Sequence, residues 1–205
     1  MLTQGARSVD AYFPPAVWYD YYTHERFVSE GTTITLDAPL DLLPLHIRGG
    51  HVVPMQLPAY TIAESRQQPF QLVVALDGDD AAAGSLYLDD GCVAALGAHR
   101  VRWAASHSVP RASLFPRQRC SESLQVQAAT RITYAAANRR LEATGTFGYT
   151  TVPTLNRVTV LGVSPAPTQV VLDGAAVPFS YDGDRLVLAV DGLSVSMNAP
   201  FTLAW

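Results

Sequence analysis

Short apolar or alternating runs recur along the chain with turn formers between them: Thr32–Leu36, Leu45–Ile47, Val52–Met55, Phe70–Leu76, Ser85–Leu88, Arg157–Leu161, Gln169–Leu172, Arg185–Val190, Leu193–Met197 and Phe201–Trp205. They are rich in Val, Leu, Thr and Tyr and bounded by Gly, Pro and Asp, the pattern of strands. Connections too short for crossover helices pair strands antiparallel, so the expected fold is all-β, a sandwich or barrel. Leu172-Asp173-Gly174-Ala175, Tyr181-Asp182-Gly183-Asp184 and Val190-Asp191-Gly192-Leu193 each place Asp-Gly between runs, a type I′ hairpin signal that predicts a meander up to Trp205. Tyr134–Ala143 is the exception: its Ala, Arg, Leu and Glu favour a short helix that needs tertiary support.

A composition shift near Ala63–Pro69 predicts two units: residues 1–66, aromatic and Pro-rich, and residues 67–205, a more regular strand array with an irregular segment at 97–128. The chain has 205 residues, 48% hydrophobic and 16% charged, which is enough to bury a core and argues against disorder. A net charge of −4 excludes a chain-wide phosphate-binding surface. Between His99 and Arg140, eight arginines face the single acid Glu122, yet only Trp103, Phe115 and Tyr134 could stack on bases, so no nucleic-acid partner is expected. No apolar run is long enough for a membrane-spanning helix, and the first residues lack the charged and apolar regions of a secretory signal. Cys92 and Cys120 allow one bridge or two buried thiols, and they are not spaced like paired zinc ligands.

Candidate chemistry is sparse. Glycoside hydrolysis uses two carboxyl groups about 5–5.5 Å apart for retention or about 6.5–9.5 Å for inversion. Asp79-Asp80 lies in a turn-forming Asp77-Gly78-Asp79-Asp80-Ala81 loop, and Asp89-Asp90 follows a strand in which neighbouring side chains point to opposite faces. Neither pair is expected to be catalytic. His46 and His51 flank Gly49-Gly50 without a third ligand type, while His24, His99 and His107 are isolated, so structural roles are expected and no metal site. The hydrolase-elbow, P-loop, dinucleotide and zincin signatures are all missing, so no cofactor is expected either. Tyr12, Phe13, Trp18, Tyr19, Tyr21 and Tyr22 are dense enough to form a sugar-stacking platform, although such rings more often fill cores and interfaces.

Several motifs in order carry a family resemblance: Ala11-Tyr12-Phe13-Pro14-Pro15, Trp18-Tyr19-Asp20, Ala38-Pro39-Leu40-Asp41, then Pro44-Leu45-His46-Ile47-Arg48-Gly49-Gly50 and Val53-Pro54-Met55-Gln56. Glu64–Phe70, Gly84–Gly91 and Val158–Val163 with Pro167 and Val170 continue the series. Over residues 1–91 and 150–205 the chain resembles glycoside hydrolase family 31, the α-glucosidase and maltase type that includes lysosomal acid α-glucosidase.

The resemblance implies two antiparallel β-sandwiches, the proximal and distal C-terminal domains, with the proximal one lacking its first strands. It implies no catalytic barrel in this chain. The family's retaining aspartates belong to an upstream (β/α)8 barrel, so no catalytic residue is expected here and the barrel is the expected partner, with α-glucosides reached only through it. Parent enzymes of this type are commonly secretory, extracellular or lysosomal and vacuolar. The likeness lapses after Gly91, where either a translated intron or a lineage-specific insertion begins. The role expected is a structural, non-catalytic accessory portion of an α-glucosidase; the alternative is a stand-alone carbohydrate-binding module. Much of the surface packing on the barrel or within the proximal sandwich is expected in Tyr12–Tyr22 and Leu43–Met55.

Overall fold

A computed structural model describes residues 5–89, 129–149 and 152–205. The expected irregular segment 97–128, both cysteines, Asp90, His99, His107 and most of the arginine-rich stretch lie outside them.

The N-terminal strands build two small sheets. Strands β1 (Ser8–Phe13) and β4 (Thr32–Asp37) pair antiparallel, while β2 (Ala16–Asp20) lies between β3 (Arg26–Ser29) and β5 (His46–Arg48). Pro14-Pro15 breaks the chain between β1 and β2, because proline supplies no ladder N–H and its fixed φ favours a turn. The two sheets share an aromatic cluster: the buried Phe13 ring meets Trp18, Phe27 and His46 edge to face at 5.2, 5.1 and 4.9 Å. The remaining strands are β6 (His51–Gln56), β7 (Phe70–Ala75), β8 (Ala82–Leu88), β9 (Thr130–Ala137), β10 (Arg140–Thr146), β11 (Leu155–Leu161), β12 (Val171–Leu172), β13 (Ala175–Ala176), β14 (Ser180–Asp182), β15 (Val187–Val195) and β16 (Phe201–Ala204). Helix α1 (Ile62–Ser65) is a single turn closed by a capping box, in which Thr61 Oγ1 accepts from Glu64 N and Glu64 Oε2 accepts from Thr61 N.

All of β6 to β16 join one sheet in the order β13-β12-β16-β10-β9-β8-β6-β7-β11-β15-β14. Its two wings meet where β6, paired with β7 along its whole length, touches β8 at the single pair His51↔Ala83. Both wings face one core in a sandwich-like arrangement, with Leu72, Val74, Val158, Val160 and Leu188 from one and Ile132, Tyr134, Leu141 and Leu203 from the other. The fold is therefore all-β, as expected. Most pairs are antiparallel; β11 runs parallel to β7, from which three strands separate it in sequence, and β6 runs parallel to β8 at their single pair.

Strand β7 explains how the small sheets attach. Leu72 and Val74 enter the main core, while Val73 and Ala75 on its other face pack with Leu161 against Val17 and Tyr19 of β2. A strand buried on both faces reads as a continuous apolar run, which is what Phe70–Leu76 shows. Tyr19 is wholly buried there and donates its hydroxyl to Leu76 O at 2.8 Å. Gly162 lies against that hydroxyl at φ +87, and a Cβ at this position would stand 2.3 Å from it.

Three expectations are corrected. Tyr134–Ala143 is not helical: it belongs to the β9–β10 hairpin, turned by Asn138 and Arg139 at φ 51 and 59. Strand β9 alternates strictly between buried and exposed positions, and burying Ile132, Tyr134 and Ala136 outweighs the small helix preference of its alanines. Asp191-Gly192 does not turn the chain; β15 runs straight through it, and Gly192 at φ +70 sits where the register against β11 shifts, at a bulge. Nor do the last strands form a meander. The β12–β13 and β14–β15 hairpins lie at opposite ends of the sheet, and β16 crosses to pair with both β12 and β10. Asp173-Gly174 is the left-handed turn expected, whereas the β14–β15 loop spans four residues and places positive φ on Leu186 rather than on Gly183.

Candidate functional site

The carboxylate and histidine candidates serve local structure. Asp77 Oδ1 accepts the backbone N–H groups of Asp79 and Ala81 at 2.9 and 3.0 Å, so the acidic loop is a side-chain-closed turn with Asp80 left-handed at φ 56. The Asp89 carbonyl accepts from Arg66 Nη2 at 2.6 Å. His46 packs on Phe13 and Phe27 with Nε2 3.9 Å from Asp20 Oδ2, while His51 Nδ1 lies 3.2 Å from Gly49 O. Among the described residues no three potential metal ligands cluster. Arg131 stacks over the Tyr87 ring, Arg139 donates to Trp205 O and Pro165 O, and Arg140 pairs with Glu142.

The aromatic segment divides by strand alternation. Phe13 and Tyr19 are buried, Trp18 donates its indole N–H to Pro14 O at 3.0 Å, and only Tyr12 and Tyr22 stand well out, so no flat row of rings faces water. A different surface stands out instead. Ten of the eleven exposed large apolar residues in the described parts lie between Tyr12 and Ile62, the eleventh being Tyr87. Leu40, Leu42, Leu43 and Leu45 crown the β4–β5 loop, and Leu57, Tyr60 and Ile62 crown the segment around α1; Leu40 and Tyr60 are fully exposed. Tyr21 lies between the β4–β5 loop and β6, the strand before Leu57, since its N–H donates to Leu45 O and its hydroxyl approaches Met55 Sδ at 3.7 Å. Exposed apolar residues gathered this way mark an interaction surface. The expected packing segments, Tyr12–Tyr22 and Leu43–Met55, include Tyr12, Tyr22, Leu43 and Leu45 but not Leu40, Leu42, Leu57, Tyr60 and Ile62. Their signal was apolar residues without alternation in Pro-punctuated loops, where no strand needs them.

Beside this face lies a shallow cleft of about 350 Å³ lined by Tyr22, Thr23, His24, Asp182, Arg185 and Val187. One wall is the β2–β3 turn, where Asp20 Oδ1 accepts from Tyr22 N, Thr23 N and Thr23 Oγ1 at 2.8, 2.7 and 3.1 Å. Burial alone would raise the Asp20 pKa, but these donors and the His46 charge hold it below the ordinary carboxylate value. The opposite wall is the β14–β15 loop, where Asp182 Oδ1 accepts from Asp184 N and Arg185 N and Oδ2 meets Arg185 Nη1 at 3.3 Å. Burial pushes the His24 pKa down; the Asp20 carboxylate opposes this and the Arg185 charge adds to it, and the net shift is downward, so the imidazole is neutral at neutral pH. Sequence reasoning set His24 aside as isolated and read Asp182 only as a turn, because the two walls are distant in the chain and meet only in the fold.

Residues 1–53 match the model of the glycosyl hydrolase family 31 C-terminal domain. The whole chain aligns with Glucoamylase 1 of Schwanniomyces occidentalis at 37% identity and with lysosomal alpha-glucosidase of Mus musculus at 30%, spanning 19% and 21% of those proteins. Its fold superposes on a glucosidase II alpha subunit structure with a TM-score of 0.73 at 24% identity, covering 100% of this chain and 22% of that one.

Proposed function

Because the chain belongs to the C-terminal region of glycosyl hydrolase family 31, we propose that it is the structural accessory portion of an α-glucosidase-type enzyme that hydrolyses α-linked glucosides. Among the described residues the candidate carboxylates serve turns, and no acid–base pair is assigned to this chain. Residues 1–66 act as a proximal unit and residues 67–205 as a distal one, joined by β6, which pairs with β7 along its whole length, and by β2 against the back of β7. The observation that carries the reading is the apolar surface of Leu40–Leu45 and Leu57–Ile62, in and just beyond the stretch that matches the family model. The chain spans about a fifth of its relatives' length, and the remainder supplies a partner for that surface, the catalytic (β/α)8 barrel. Apolar area removed from water there stabilises the barrel by about 25 cal/mol per Å² and fixes the loops packed against it.

Leu43→Glu in the full-length parent tests this. A charge at the face is expected to lower the melting temperature of the catalytic portion and its residual turnover of maltose after heating. Unchanged thermal inactivation of Leu43→Glu and Tyr60→Glu parents would overturn the docking role. The chain by itself is expected to leave maltose intact, and turnover by the pure chain would overturn the non-catalytic assignment.

A further inference from the structure

We propose that the cleft between the β2–β3 turn and the β14–β15 loop is a binding site for an uncharged sugar ring, a glucosyl unit of an α-linked glucan. Five observations converge on that chemistry.

The Tyr22 ring is half exposed and already held: its hydroxyl donates to Leu43 O at 3.1 Å and its edge meets Tyr21 at a centroid distance of 5.1 Å. A held, half-exposed ring offers an apolar platform for the C–H face of a pyranose, with little ordering left to do on binding. Thr23, His24, Asp182 and Arg185 line the same cleft, and the Asp182 carboxylate beside the Arg185 guanidinium, 3.3 Å apart, sets an acceptor next to donors that suit vicinal hydroxyls. The cleft favours no anion, because the Arg185 charge is set against Asp182 and burial keeps His24 neutral. Both walls are prearranged by their own turns, Asp20 closing one and Asp182 the other, with His24 and Leu186 left-handed at φ 60 and 58. A volume of about 350 Å³ falls at the small end of ligand sites, which commonly run about 300–1,000 Å³.

This site is a single stacking ring at the join of the N-terminal sheet and the last hairpin; it adjoins the docking face at Leu43 O but is lined by none of that face's leucines. It rests on the accessory-region reading only for the choice of an α-linked probe. The experiment is a titration of the 205-residue chain with maltotriose, followed by amide chemical shifts. Saturable shifts at Tyr22–His24 and Asp182–Val187 are expected. Tyr22→Ala and Arg185→Ala, both with dispersed spectra, are each expected to weaken binding by roughly tenfold or more, the effect of losing one anchor side chain. Tyr60→Ala, an exposed ring outside the cleft, is expected to leave it unchanged. No saturable shift, or equal weakening by Tyr60→Ala, would overturn the site, and tighter binding of inorganic phosphate than of maltotriose would overturn the neutral-ligand assignment. Failure here leaves barrel docking standing, and failure of the Leu43→Glu test leaves this cleft standing.

Discussion

The two small sheets of residues 8–48 and the eleven-strand sheet treat their apolar residues in opposite ways. Within the large sheet both wings turn inward, and Leu72, Leu141, Leu188 and Leu203 are wholly buried. Around the small sheets, Leu40, Leu42 and Leu43 project into water, with Tyr60 and Ile62 exposed on the β6–β7 connection, while Val17 and Tyr19 reach inward to the back of β7. One region closes its own core; the other is anchored through one strand and spends much of its apolar surface outward. Burial ranks high among the determinants of stability, so apolar residues gathered in water on one side of a fold are the mark of an interaction surface.

Substitutions can break this contrast. Gly162→Ala is expected to do the most damage, about 4 kcal/mol, because it combines a left-handed backbone with a Cβ driven into the buried Tyr19 hydroxyl. Urea unfolding would show the loss, and hydrogen exchange at Val17–Tyr19 should accelerate first; unchanged exchange there would mean that β2 is not anchored by this contact. Leu141→Ala, in the main core, is expected to cost about 3 kcal/mol through lost burial and a cavity. Its unfolding midpoint in urea measures this.

Acid tests the β2–β3 turn. The Asp20 pKa is lowered in the folded chain, so its contribution is complete above the ordinary carboxylate value and disappears as pH falls through the lowered one. Asp20→Asn is therefore expected to be slightly less stable than the parent at pH 7, with the two converging under acid, as paired urea melts across that range would show. The smallest effect belongs to the outward face: Leu43→Ala, at 67% exposed, is expected to change the chain's own stability by less than about 0.5 kcal/mol. A large loss in the isolated chain would show that Leu43 supports this fold rather than a partner.

Legibility followed the strength of local signals. Phe70–Leu76 was readable as a strand because both of its faces are buried, and Asp173-Gly174 as a turn because few residue pairs accept two left-handed conformations. Strand β9 was hidden because alanine carries so little hydrophobic contrast that the alternation of Thr130–Ala137 resembled helix propensity. Asp191-Gly192 misled because glycine at positive φ serves a bulge as readily as a hairpin, and only the partner strand decides between them. The family motifs were legible as sequence, while the cleft was not, since Tyr22 and Arg185 are far apart in the chain and carry no shared pattern.

By itself, the sequence determined the all-β class, most strand positions and the family likeness, because side-chain period, turn chemistry and motif order are local properties of the chain. The tertiary structure alone decided which strands are neighbours, that β7 is covered on both faces, which leucines remain in water, and that two distant turns close around one cleft. Pairing and burial depend on contacts between residues far apart in sequence, and a local pattern carries no record of its partner.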